Sequence, residues 1–238
     1  MAKRVILAVA GAGKTYHICH EIDPQKRNLI LAFTHENIHN IQKELYDAYR
    51  CIPELTTVAT FDSFVYHELI LPYEPSIGEH FGQPGFVSCG ICMIDPPPQR
   101  IKTKTGKSIA NPLYEPKDQL AHYITDRKQY YCATLSELAL QVKKKRESLI
   151  KRVAARLNMF YDCVLIDEFQ DFREHDYDLI IALAKQLNDV VLVGDYYQHS
   201  VSATNNSGRP FKKKSVDVSY DEFIGELERA GFEVDITT

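Results

Sequence analysis

The sequence predicts an α/β fold: a parallel sheet covered by helices on both faces, interrupted by a smaller mixed α and β insertion. Three observations predict it. Short, continuously apolar runs recur along the chain, as strands buried on both faces require. Segments with helical spacing follow those runs, the order expected of a parallel sheet with crossover helices. From about Pro72 to Tyr161 the alternation stops, and "GQPGF", "DPPPQR" and "NPLYEP" mark loops. The expected division is therefore 1–71 with 162–238 for the sheet domain and 72–161 for the insertion.

The elements follow in order. Residues 4–10 read as a buried strand ended by glycines, with a short helix from Tyr16 to Glu21. "NLILAF" (Asn28–Phe33) is a second strand. Ile38, Ile41, Leu45 and Ala48 then fall at helical spacing, with Thr34 as the N-cap and Asn37 three residues on. "TTVAT" (Thr56–Thr60) is β-branched and strand-like, and "FDSFVYHELI" returns to helix. Inside the insertion, Gln99–Ile109 suits a β-hairpin, and residues 119–160 read as helical. Leu135, Leu138, Val142, Leu149, Val153 and Leu157 give that stretch an apolar stripe. Further strands open "DCVLIDEFQDF" and "DVVLVGDYYQ", and helices follow at "HDYDLIIALAKQL" and "DEFIGELERAGF". The sheet is expected to hold about five strands, and "FEVDITT" reads as a further strand leading out of the domain.

Bulk properties exclude some classes. A net charge of -4 over 238 residues rules out a general polycation, so nucleic-acid binding would rest on local runs such as "KTKTGK", "KKKR" and "KKK". The equally simple reading of those runs is a solvated face. The beginning of the chain lacks the order of a secretory signal, and no apolar run reaches the ~18–20 residues of a membrane span. A cytoplasmic protein without a membrane partner is expected. The six cysteines then read as reduced thiols. "CGIC" (Cys89, Cys92) would need His80, His122 or Cys132 to complete a zinc site.

Two stretches carry chemistry. Phosphate binding needs converging backbone N–H donors, a helix start behind them and a cation. "AGAGKTY" offers Ala10, Gly11, Ala12, Gly13, Lys14, Thr15 and Tyr16 between a strand and a helix. Gly11 and Gly13 let the chain curl, Lys14 can reach the β- and γ-phosphates, and the Thr15 hydroxyl can bind Mg²⁺. Ala8 stands where G-x-x-x-x-G-K-T has its first glycine. In "VLIDEFQD" two carboxylates follow a strand: Asp167 can hold the cation, and Glu168 can orient and deprotonate water.

With these residues in place, the chain resembles superfamily 1 DNA helicases and translocases of the UvrD/Rep type. "AVAGAGKT", "LAFTHENIHNIQKEL", "VATFDSFVYHEL", "LIDEFQDF" and "VLVGDYYQ" look like five of that family's motifs, in family order. The resemblance covers about residues 4–71 and 162–198. It implies a RecA-like P-loop NTPase domain with ATP and Mg²⁺ as cofactors. Glu168, Asp167, Lys14 and Gln198 would be the catalytic set, Thr15 and Asp167 the metal ligands, and Gln170 a support for the site. It also implies single-stranded DNA along Phe33, Thr34, Thr60, Phe61 and Ser63, where base stacking on aromatic faces gives sequence-tolerant binding. Core packing is the competing reading for Phe33, Phe61 and Phe64.

The chain departs from the family in four places. The upstream glutamine that reads adenine is missing, and the insertion is small. Val201 and Ala203 stand where base-stacking aromatics are expected, with Tyr196 and Tyr197 close by. The second lobe, whose arginines are worth roughly 10³–10⁵ in rate in related enzymes, has no counterpart. The expectation is a phosphate cradle and Mg²⁺ site making up half a motor, as a truncation or as a module completed by a partner in trans. Two alternatives stand beside it. One is a nucleotide-switched DNA- or protein-binding module without motor activity. The other is a P-loop kinase, for which the sequence shows no clear arginine lid.

Overall fold

The computed structural model describes residues 3–9, 13–144, 147–198, 210–213 and 216–237. The chain divides into two compact units, residues 1–64 with 150–238 and residues 65–149. The first unit is the sheet domain. Its strands are β1 (Lys3–Ala8), β2 (Asn28–Ala32), β3 (Thr56–Thr60), β4 (Cys163–Ile166), β5 (Asp189–Gly194) and β6 (Glu233–Thr237). They form one six-stranded sheet in the order β6-β1-β5-β4-β2-β3, parallel throughout. The segment read as leading out of the domain is thus the edge strand β6, paired to β1 from Arg4–Glu233 to Ala8–Thr237.

Helices α1 (Lys14–His20) and α2 (His35–Tyr49) pack on one face. Alternate strand residues Ile6, Ile30, Leu165, Val191 and Val193 meet Ile18, Cys19, Ile41 and Leu45 there. The intervening residues Val5, Leu7, Leu29, Leu31, Val164, Ile166 and Leu192 are equally buried, as a sheet covered on both faces requires. Three longer helices also pack in the unit: α3 (Leu149–Phe160), α4 (Glu174–Ala184) and α5 (Tyr220–Arg229). Thr34 caps α2 as expected, its hydroxyl accepting from Asn37 N–H at 3.1 Å.

The second unit begins and ends earlier than the composition marks it. "FDSFVYHELI" is split: a four-residue helix, Phe61–Phe64, closes the first unit, and a π-helical turn, Val65–Ile70, opens the second. At the far boundary the apolar stripe does not belong to one helix. Leu135–Gln141 and Leu149–Phe160 are separated by a strand pair, Lys143–Lys144 with Glu147–Ser148. From Ile150 onward α3 belongs to the sheet domain, where the Asn158 side chain donates to Gln186 O at 2.9 Å and accepts from Asn188 N–H at 3.0 Å. The expected hairpin exists as Arg100–Lys102 paired with Ser108–Ala110. The core of this unit holds Tyr66, Leu69, Ile77, Tyr123, Tyr130 and Leu138. All six cysteines are free thiols. Among the described residues no helix is long and apolar enough to cross a membrane.

Candidate functional site

In a parallel sheet every strand ends at the same edge, and ligands bind in the crevice outside those ends. The described candidate residues lie at or just past those ends, Thr60 as the last residue of β3. Lys14 and Thr15 follow β1, Asp195–Gln198 follow β5, and Asp167 and Glu168 follow β4. Phe33 and Thr34 follow β2, and Phe61–Ser63 follow β3. The strand order makes β1, β5 and β4 neighbours, so three segments far apart in sequence converge.

The chain turns into α1 at Gly13, whose φ of 76° is left-handed backbone that glycine adopts without a Cβ clash. Lys14 follows as the first helical residue and is 8% exposed. Its Nζ lies 3.0 Å from Glu168 Oε2 and donates to Gln198 Oε1 at 3.4 Å. The Thr15 hydroxyl donates to Asp167 Oδ2 at 3.1 Å, while Asp167 Oδ1 accepts from Glu168 N–H at 3.0 Å. The structure therefore brings together Lys14, Thr15, Asp167, Glu168 and Gln198. Tyr16 faces outward and stacks on His20, with ring centroids 3.8 Å apart. Ala10, Gly11, Ala12, Val201 and Ala203 lie outside the described residues.

The second carboxylate is held from behind. Gln170 is buried, and its side-chain N–H donates to Glu168 Oε2 while its Oε1 accepts from Asp195 N–H at 2.9 Å. One amide thus ties the loop after β4 to the end of β5. Gly194 makes room for it: a Cβ there would lie 2.5 Å from Gln170 Oε1 and 2.6 Å from the Phe169 ring. Asp195 in turn accepts from Tyr197 N–H at 2.8 Å, closing the turn that carries Gln198 toward Lys14. Gly194 and Asp195 were not among the sequence candidates. Their signal is the strand-end glycine in "VLVGDYYQ", whose meaning needs the neighbour across the sheet.

Electrostatics follow from burial. Asp167 is 2% exposed, and burial, then the charge of Glu168, push its carboxyl up to about 6. Asp171 is raised too, by burial and then by Glu168. Glu168 sits at φ 54° and ψ 46°, a left-handed conformation that costs a non-glycine residue of order 1–3 kcal/mol and that clusters at functional sites.

The candidates after β2 and β3 divide. Thr34 is exposed, and Phe33, Thr60 and Ser63 are half-buried. Thr60 also caps the turn after β3, its hydroxyl accepting from Ser63 N–H at 3.2 Å. Phe61 has no exposed surface. Its ring packs on Phe33 at 5.3 Å and on Phe172 at 5.6 Å, so it is a packing element and not a shelf for a base.

No curated protein matches the chain. Residues 2–204 match the family model described as an AAA domain. That span holds β1 to β5 and every residue of the Lys14–Asp167–Glu168–Gln198 cluster, and by it the chain belongs to the AAA-domain family of nucleotide-binding P-loop proteins.

Proposed function

We propose that the chain is the ATP-binding and hydrolysing lobe of a DNA helicase or translocase of the UvrD/Rep type, acting on single-stranded DNA. The observation that carries this reading is the convergence of Lys14, Thr15, Asp167, Glu168 and Gln198 at one sheet edge. The cluster fits Mg²⁺ and phosphate. A hydroxyl and a carboxylate are the hard oxygen donors Mg²⁺ prefers, and few protein ligands suffice when phosphates and water complete the shell. A cation beside Asp167 would also offset the burial that now raises its pKa.

When bound, Mg-ATP supplies the γ-phosphoryl group that water attacks. Thr15 and Asp167 would hold the cation, and Lys14 would turn its charge to the phosphates. Glu168 accepts the water proton on its carboxylate, for which it must release Lys14. Gln170 keeps Glu168 aimed, and Gln198, already at Lys14, responds to occupancy. The single strand runs past Phe33, Thr34, Thr60 and Ser63. Arginine charge on the transferring group comes from a second lobe or a partner protein.

The test is oligothymidylate binding by fluorescence anisotropy with and without Mg-ATP, beside phosphate release and a Glu168→Gln control. The reading expects single-strand affinity that changes with nucleotide, and slow turnover that rises with DNA and is lost in the control. Mg-ATP binding with no affinity for single strands would overturn it.

A further inference from the structure

We infer that Arg173 and Asp62 are positioning residues that couple the nucleotide site to the candidate single-strand path, an inference that rests on the function proposed above. The two belong to different crossovers. Arg173 follows Glu168 on the loop after β4, and Asp62 sits in the turn after β3, between Phe61 and Ser63. β2 lies between those strands, so the contact reaches across its end.

The guanidinium is fixed at both ends. Its Nε and the Arg173 backbone N–H each donate to Oδ2 of buried Asp176 at 3.0 Å, which caps α4. Its Nη2 donates to Asp62 Oδ1. The Arg173 and Asp62 side chains are 20% and 29% exposed, so solvent screens the pair only in part. A second observation points the same way. Phe172, 2% exposed, packs edge-on against Phe33 at 5.3 Å and against Phe61 at 5.6 Å. Residues 168–173 thus run from the partner of Lys14, through rings anchored in the core, to a grip on the turn that carries Ser63. Packed interiors respond to displacement by switching arrangement and do not deform continuously. When Glu168 exchanges Lys14 for water, the far end of this loop moves Asp62, Ser63 and Phe33 with it.

Coupling is a ratio of affinities and is reciprocal. The experiment measures oligothymidylate affinity with and without Mg-ADP for wild type, Asp62→Asn and Arg173→Lys. Asp62→Asn keeps shape and removes the charge, and Arg173→Lys keeps the charge and removes the fork. The wild type is expected to show a ratio of about 5-fold or more, and both variants a ratio of about 2-fold or less. Loss of a negative charge near DNA raises affinity equally with and without nucleotide, and a purely structural role shifts thermal stability, so neither moves the ratio. A wild-type ratio that persists in both variants overturns the coupling and leaves the proposed function standing. A wild type with no affinity for the strand, or one whose affinity ignores nucleotide, overturns both.

Discussion

Asp167 is under opposing demands. Its carboxyl is pushed up to about 6 by burial and by Glu168, against 3.8 unperturbed. The folded state therefore holds the proton more tightly than the unfolded chain does. That contribution is fully present below about pH 4 and is lost as pH rises through about 6, so near neutrality the ionised group opposes folding. Asp167→Asn removes the charge and keeps the shape, and the Thr15 hydroxyl can turn to accept from the new amide. The variant should be more stable than wild type by about 2–3 kcal/mol near pH 7, with the difference vanishing near pH 4, as read by denaturant unfolding. Equal stability at both pH values would show that Asp167 is not strained. At the same scale, Phe61 shows what single residues conceal. An aromatic after a strand in "TFDSF" fits a base shelf and a core ring equally well, and only its neighbours Phe33 and Phe172 decide.

At the scale of elements, the end of β5 and the loop after β4 form one device. Gly194→Ala places a methyl group against Gln170 and Phe169, and overpacking of that kind costs about 1–3 kcal/mol. Thermal melting should drop accordingly, and turnover should fall further than stability does because Gln170 releases Glu168. A melting temperature equal to wild type would show that the approach relaxes freely. The other side of Phe169 rests on α5. Phe223 has no exposed surface, and its ring lies parallel to Phe169 at 6.0 Å. Phe223→Ala should cost about 3–5 kcal/mol in urea unfolding. A loss under about 1 kcal/mol would mean that α5 does not brace the loop.

Elements were also where the sequence was most and least legible. Four apolar runs, the β-branched run of β3 and the Thr34 cap were readable because burial on both faces, β-branching and capping are local patterns. β6 was readable as a strand but not as the neighbour of β1, since parallel pairing is set by tertiary structure. The break between Gln141 and Leu149 was hidden because Leu138 and Leu149 are buried on either side of it and Val142 is buried within it, so the apolar stripe keeps going. The insertion boundaries moved for the same reason: composition marks loops, and packing assigns α3 to the sheet domain.

For the whole molecule, strand order turns separate motifs into one site. β5 lies between β1 and β4, so Gln198 reaches Lys14 while Gln170 reaches Asp195. The candidate site is therefore legible from sequence only in part. Lys14, Thr15, Asp167 and Glu168 announce themselves by residue type and spacing, whereas the supports Gly194 and Asp195 acquire a role only through a neighbouring strand. The central claim is that this assembled edge binds nucleotide through Mg²⁺ held by Thr15 and Asp167. Calorimetric titration of ATP, with Mg²⁺ and with chelator, into wild type and Asp167→Asn tests it most directly. Mg²⁺ should strengthen wild-type binding by roughly 10–100-fold, the worth of 1.5–3 kcal/mol for contacts to a charged group. Asp167→Asn should lose that gain while melting higher than wild type near neutrality. Affinity indifferent to Mg²⁺, or a gain that survives the substitution, would contradict the account.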